Sequence, residues 1–151
     1  MKPYQYDIVS QSMNISKKAE YAIRAVISIA RHADNNLLQI SEISKKESIP
    51  IKFLEQILLT LKNKGILNSK RGANGGYLLA KSKDDISIGM ILDIIDGPFD
   101  PIGIHSGNHL SAGLEKCFGQ MIEIVNGHLN QFTIKDILEI EEPNDFLAFE
   151  I

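Results

Sequence analysis

The chain has 151 residues, of which 44% are apolar, and it carries a formal net charge of −3. An apolar fraction of this size excludes disorder throughout the chain, and the lack of a run of roughly 18 apolar residues excludes a membrane span. The polar N-terminus lacks the apolar segment of a secretion signal, and the single cysteine, Cys117, excludes an intramolecular disulfide, so we expect a cytoplasmic protein.

The first predicted elements are an N-terminal extension and a helix. Residues 1–12 are polar and without periodicity, so we expect a flexible extension ahead of the second methionine, Met13. From Ser16 to Ala33 apolar residues recur at intervals of three and four, which is the pattern of an amphipathic helix with Ser16 as its N-cap. The folded part of the chain is therefore expected to begin at residue 13.

Two shorter helices follow, and together they predict a helix-turn-helix. The first runs from Ile40 to Glu47 with Ser41 at its start, and the turn Ser48-Ile49-Pro50 leads into the second. That second helix, Ile51 to Lys64, ends at Gly65 and should bury one face while it exposes a polar one. The residues expected on the buried face are Phe53, Leu54, Ile57, Leu58 and Leu61, and those on the exposed face are Lys52, Glu55, Gln56, Thr60 and Asn63.

A β-hairpin is predicted immediately after the helix-turn-helix. Ile66–Lys70 and Gly76–Ala80 form its short strands, and Asn74-Gly75 favours a tight turn because both residues tolerate positive φ. A hairpin in this place is the wing of a winged-helix domain, which we expect to span residues 13–97. Its last helix is expected over Ser87–Ile95.

The C-terminal third predicts a loop, a long helix and a short helix. Residues 98–111 contain glycine, proline and histidine and are expected to form the loop, and residues 112–139 hold both helices, the second capped by Thr133. Apolar residues of the long helix form a heptad-like seam, which favours packing on a second copy, with the chain's own first helix as the alternative. Residues 140–151 form an acidic tail. The seam residues are Leu114, Phe118, Met121, Ile122, Val125 and Leu129.

Charge is distributed unevenly along the chain. Residues 14–81 hold twelve Lys and Arg against five acidic residues, whereas residues 82–151 hold three Lys against thirteen acidic residues. The net charges are therefore +7 and −10, and residues 1–13 are neutral. A basic half that meets phosphates would explain this division, while unrelated solvated faces are the simpler alternative.

Three motifs give the sequence a resemblance to a known family. They are the run Ile15–Ala22, the segment Leu54–Leu58 with the sequence LEQIL, and the wing Arg71–Ala80 with the sequence RGANGGYLLA. On these motifs the chain resembles the Rrf2 family of bacterial winged-helix transcription regulators. The fold that this implies is mainly α, of the α+β class, with a winged helix-turn-helix, a two-stranded wing and a long C-terminal dimerisation helix.

The resemblance also implies a function. Such a protein is a homodimer without catalytic activity that binds a near-palindromic operator in double-stranded DNA, as a repressor or an activator. Several family members hold an iron–sulfur cluster on three cysteines in the loop before the dimerisation helix. No cysteine lies between Gly97 and Gly113 of this chain, so we expect neither an iron–sulfur cluster nor another cofactor.

Side chains from two elements are expected to contact DNA. On the second helix of the helix-turn-helix, Gln56 can read adenine, Glu55 can accept from cytosine, and Lys52 can reach guanine or a phosphate. On the wing, Arg71 is expected to enter the minor groove, where an arginine senses groove width and negative potential. Lysines outside these positions would contact phosphates. The full predicted set is Lys17, Lys52, Glu55, Gln56, Thr60, Lys70, Arg71 and Asn74.

The remaining candidates concern the signal that the protein answers. Cys117 falls on the apolar side of the long helix, which favours a core position, with a thiol sensor or a cluster ligand shared across the dimer as alternatives. His105 and His109 would bind a metal together only on a helix, and a loop is predicted there. The alternatives to a cluster-free regulator with a small-molecule or protein effector are an atypical redox or metal sensor and a module for protein contacts only.

Overall fold

Helices make up most of the structure, a computed structural model that describes residues 14–32, 36–104 and 107–142. The order of the elements within these ranges confirms the predicted winged helix-turn-helix and long C-terminal helix. The predicted extension of residues 1–12 and residues 143–151 of the predicted tail lie outside the described residues. The elements are α1 (Lys17–Arg31), α2 (Ile40–Glu47), α3 (Ile51–Asn63), β1 (Leu67–Lys70), β2 (Gly76–Leu79), α4 (Ile88–Asp96), α5 (Ala112–Gln131) and α6 (Ile134–Glu141).

Helix α1 forms the centre of the core. Ser16 caps it as predicted, because its hydroxyl accepts a hydrogen bond from the Ala19 backbone N–H at 3.0 Å. The inner face of α1 carries small side chains, and Ala22 and Ala25 are completely buried, which lets α3 and α4 approach closely. Most of the enclosed apolar volume comes from larger side chains, among them Val26, Ile43, Leu54, Ile57, Leu58, Leu61, Ile91 and Ile134.

Helices α2 and α3 form the predicted helix-turn-helix, with one local correction. Gln39 caps α2, in a capping box in which the Glu42 carboxylate accepts from the Gln39 backbone N–H at 3.0 Å. Phe53 is 58% exposed rather than buried. It lies at the edge of the apolar stripe of α3, about 90° from the centre of that stripe at 100° per residue, so the core does not cover it.

Strands β1 and β2 form the predicted wing, but its turn differs from the prediction. Because Lys70 pairs with Gly76, the loop between the strands has five residues, as the predicted strand ends require. Positive φ angles occur at Gly72 and Gly76, at 109° and 145°, and not at Asn74 or Gly75. The turn closes where the Gly75 N–H donates to the Gly72 carbonyl at 2.9 Å.

The wing is anchored to the domain by a pairing that the sequence did not predict. Leu38, in the connection between α1 and α2, and Tyr77 of β2 each donate their backbone N–H to the other's carbonyl at 2.9 Å. The side-chain amide of Gln39 also donates to the carbonyl of Ala73 in the wing turn at 2.8 Å. The wing is therefore held at its second strand and at its tip.

The two C-terminal helices, α5 and α6, differ in how far the rest of the chain buries them. Along the whole of α5 the only buried residue is Ile122, whereas Ile134 at the start of α6 is completely buried. The Ile88 N–H donates to the Phe132 carbonyl at 2.9 Å, and the Ile134 N–H donates to the Ile86 carbonyl at 2.8 Å. These two hydrogen bonds fix the end of α5 against the start of α4. No helix within the described ranges is long and apolar enough to cross a membrane.

Helix α6 begins as predicted and ends later than predicted. Thr133 and Asp136 form its capping box. The pKa of Asp136 lies below its usual value because the carboxylate accepts hydrogen bonds from the Thr133 backbone N–H and hydroxyl. The helix continues to Glu141, two residues beyond the expected end, and Glu141 pairs there with Arg31 of α1.

Candidate DNA-binding surface

Helix α3 exposes the polar side chains that the sequence places against base edges. Lys52, Glu55 and Gln56 are exposed, and within the described part of the chain their side chains have no hydrogen bond or ion pair. Thr60 is half-buried, and its hydroxyl donates to the Gln56 carbonyl at 2.8 Å. The side chains of Lys52, Glu55 and Gln56 are thus free to bind a partner, whereas the hydroxyl of Thr60 already donates its hydrogen bond within the helix.

The wing presents its polar side chains on a narrow, preformed turn. Arg71 follows β1 directly, is exposed, and has no ion pair or hydrogen bond from its guanidinium to any described residue. Lys70 and Asn74 on either side of it are also exposed. An unpaired guanidinium next to a glycine turn is well placed to enter a groove, because neither a salt bridge nor a neighbouring side chain holds it back.

Lys17 is placed differently from the other predicted residues. It begins α1, and its ammonium lies 2.8 Å from a carboxylate oxygen of Glu20 and 5.3 Å from the ring centroid of Tyr21. The hydrogen bond with Glu20 raises the pKa of Lys17 and lowers that of Glu20. Because this pair is exposed, its net stabilisation is small, and a phosphate can compete with the carboxylate for the ammonium.

The contacts that support this surface were not visible in the sequence. Gln39 and Leu38 hold the wing, and both stand in a short connection without periodicity. Arg24 of α1 donates to the backbone carbonyl of Glu47 and faces its carboxylate at 3.4 Å, which joins α1 to the end of α2. The only sequence signal for this second link is the opposite charge of the two residues.

The predicted seam residues differ in exposure, since some are enclosed by their own chain and others present apolar surface to solvent. Leu114 is 48% exposed, while Ile122 is 7% exposed and is buried within its own chain. Val125 and Leu129 are half-buried and line a cavity of about 500 Å³ between α5, α4 and residues 97–101. Ile124, which was not among the predicted seam residues, is 71% exposed. The remaining two, Phe118 and Met121, are half-buried.

Two of the three candidate sensor residues, Cys117 and His109, belong to the described part of the chain, and both are exposed. Cys117 is exposed on α5, so its predicted position in the chain's own core is wrong. The reason is that none of the described elements covers the first turns of α5, where residues 112–117 are all exposed. His109 is exposed in the loop before α5, and His105 lies outside the described residues.

The arrangement of a helix-turn-helix, a wing and a long C-terminal helix has counterparts among known proteins. Residues 15–140 match the model of a family described as "Rrf2: Iron-dependent Transcriptional regulator". This chain belongs to the Rrf2 family. The resemblance drawn from the three sequence motifs is therefore confirmed, and the Rrf2 protein is a DNA-binding transcription regulator rather than an enzyme.

Individual relatives of this Rrf2 protein agree with that assignment. It is 28% identical over 138 residues to the HTH-type transcriptional regulator IscR of Pectobacterium carotovorum subsp. carotovorum (strain PC1), which covers 88% of this chain and 84% of that protein. It is similar in structure to CymR, the global cysteine regulator of B. subtilis, with a TM-score of 0.75 and 25% identity over 85% of this chain and 98% of that one. Staphylococcus aureus CymR is 28% identical, with a TM-score of 0.69 over 82% of this chain and 97% of that one.

The family description names iron, which binds to proteins through particular donor atoms. Cluster binding takes several thiolates, or thiolates with imidazoles, close together. The chain has a single cysteine, on the exposed side of α5, and none in the loop before that helix. Among the described residues no three His, Cys, Asp or Glu side chains are grouped so that they could hold a metal ion. The residues that the structure describes do not fit an iron–sulfur cluster.

Proposed function

We propose that this Rrf2 protein is a homodimeric, sequence-specific DNA-binding regulator of the cytoplasm that works without an iron–sulfur cluster. The observation that carries the proposal is the free guanidinium of Arg71 on a wing that is anchored to the same domain as α3. One rigid unit thereby offers a helix for the major groove and an arginine for the minor groove.

Each predicted residue has a role in this proposal. Lys52, Glu55 and Gln56 read base edges in the major groove, and Arg71 reads the width of the minor groove. Lys17, Lys70 and Asn74 contact the sugar–phosphate backbone, and Thr60 completes the helix face beside Gln56. The net charge of +7 over residues 14–81 supports this assignment, because it lies on the half of the chain that carries all these residues.

The dimer is proposed to form through α5. Leu114 and Ile124 expose apolar surface on this helix, and Phe118 and Met121 are only half-buried in the single chain. A second copy of α5 would cover such a stripe, and a two-fold axis there would set two recognition helices on successive major grooves about one helical turn apart. The signal is proposed to be a small molecule or a partner protein.

Selection from genomic DNA tests this function. The anaerobically purified protein is mixed with fragmented genomic DNA at moderate salt, and the retained fragments are sequenced. Enrichment of a near-palindrome, with an affinity that falls steeply as salt rises, is the expected result. A protein that enriches no sequence and does not bind duplex DNA would instead be a winged-helix module for protein contacts. A visible spectrum typical of iron–sulfur proteins would contradict the cluster-free proposal.

Arg71→Ala is expected to weaken binding to the selected operator by about 1–3 kcal/mol, the range for one good groove contact. The fold should be unaffected, because the guanidinium has no partner among the described residues. Titration of the labelled operator measures the change, and Lys116→Ala, which removes one exposed positive charge from α5, is the control. Equal affinities of wild type and Arg71→Ala would show that the wing does not read DNA.

A further inference from the structure

Apolar side chains are concentrated on the outside of the helix proposed to read DNA. Ile51, Phe53 and Leu59 are 45%, 58% and 54% exposed, and they are three of the seven large apolar residues that are exposed in the described part of the chain. The other four lie before α1 and on α5 and α6, away from α3. Large apolar groups on the face of α3 that is proposed to contact bases favour a partner that offers apolar groups of its own.

Phe53 is the residue whose position says most about that partner. It belongs to the first turn of α3, three residues before Gln56 and seven before Thr60, so these three side chains share one side of the helix. Its ring makes no aromatic or cation–π contact with any described residue. The phenyl group therefore stands beside a predicted base-reading side chain with its surface open to water.

The edges of base pairs in the major groove offer one kind of apolar group. Thymine presents its C5-methyl there, and phenylalanine is among the side chains that contact it, whereas the other groups by which the major groove distinguishes base pairs are hydrogen-bond donors and acceptors. Phenylalanine has neither a donor nor an acceptor, so it gains nothing from a phosphate or a polar base edge. Removal of the ring and the methyl from water supplies the attraction.

We infer that Phe53 contacts the C5-methyl of a thymine next to the base pair that Gln56 contacts, and so sets a preference for thymine in each half-site. This inference rests on the proposed function, in which the start of α3 enters the major groove. The proposed contact discriminates thymine from cytosine and from uracil through the C5-methyl alone, without a hydrogen bond.

Single thymine-to-uracil replacements test the inference, because they remove one methyl and leave base pairing intact. Each thymine of the selected operator is replaced in turn, symmetrically in both half-sites, and binding of wild type and Phe53→Ala is titrated. At one position per half-site uracil should weaken wild-type binding roughly three- to five-fold per methyl. Phe53→Ala should bind the uracil and thymine operators equally at that position.

Matched variants separate this contact from general effects. Leu59→Ala removes an exposed apolar side chain from the same helix and should keep the full uracil penalty. Phe53→Gln keeps a long side chain and should lose the penalty, as Phe53→Ala does. Both changes at Phe53 leave the core intact because the ring is exposed, and circular dichroism verifies the fold.

Two results would overturn the inference while the proposed function stands. One is a uracil penalty that persists in Phe53→Ala, and the other is a wild type that binds every uracil operator as tightly as the parent operator. A wild type that binds no DNA at all would instead overturn the proposed function itself. Retention of DNA affinity in Phe53→Ala together with loss of a protein partner would assign the ring to a protein contact and also overturn the inference.

Discussion

Met121→Asp is expected to separate the protein into monomers and to weaken its binding to a two-half-site operator by about 100-fold or more. Met121 is half-buried near the middle of α5, where the proposed partner helix would enclose it. A carboxylate in an apolar interface lacks water and a counter-charge, so association becomes unfavourable. Without the dimer, two monomers must bind the two half-sites independently, so the gain in affinity from linking the two binding events is lost.

Light scattering on the purified variant measures the mass in solution, and titration with operator DNA measures the second effect. Gln120→Asp is the matched control, because it adds the same charge to an exposed neighbour on α5 and should leave the dimer intact. Ile122 is unsuitable for this experiment, since a charge there would enter the chain's own interior. Persistence of a dimer in Met121→Asp would place the interface elsewhere than on the predicted seam.

Gly76→Ala is expected to lower the free energy of unfolding by about 3 kcal/mol. Two features of the site act together. The φ angle of Gly76 is 145°, which side chains rarely tolerate. A Cβ atom at this position would also lie 2.6 Å from the carbonyl oxygen of Leu38, and because that neighbour is backbone, the pairing of Leu38 with Tyr77 would have to open.

Urea unfolding followed by circular dichroism measures this loss, with Gly72→Ala as the control. Gly72 also has a positive φ, of 109°, but a Cβ atom there would meet nothing within 4 Å. The control should therefore lose only the smaller amount due to backbone strain, on the order of 1 kcal/mol. Equal losses in the two variants would show that the close approach of Leu38 does not restrict position 76.

The sequence predicted those parts of the fold that depend on neighbouring residues. Ser16 and Thr133 were identified as caps because a cap acts over three residues, and both accept the expected backbone hydrogen bonds. The helix-turn-helix and the wing followed from apolar spacing and from glycine and proline positions. The same signals misplaced the turn of the wing, since strand register and not the Asn74-Gly75 pair decides which glycines need positive φ.

Contacts between distant residues lay beyond the sequence. The pairing of Leu38 with Tyr77 joins single residues 39 positions apart, and one residue cannot show a strand pattern. Phe53 and Cys117 were expected to be buried because they are apolar and lie near apolar stripes. Their exposure depends on which elements pack over each helix, and this is decided by the arrangement of all the helices together.

For the candidate site, spacing and the family resemblance located the exposed polar face of α3 and the wing arginine. They could not indicate which side chains are already engaged. The structure shows that Lys17 is paired with Glu20 and that Thr60 bonds its own helix, whereas Lys52, Glu55 and Gln56 have no partner within the described ranges. The contacts of all these residues with DNA remain predictions.

The attachment of the wing to Leu38 and Gln39 has a kinetic consequence. A hairpin that is already held by backbone hydrogen bonds loses little conformational freedom when it meets a duplex, so no slow ordering step needs to follow the encounter. The rate of association is then governed by diffusion and by the attraction between the basic half of the chain and the phosphates. Added salt should accordingly slow complex formation more than it hastens dissociation.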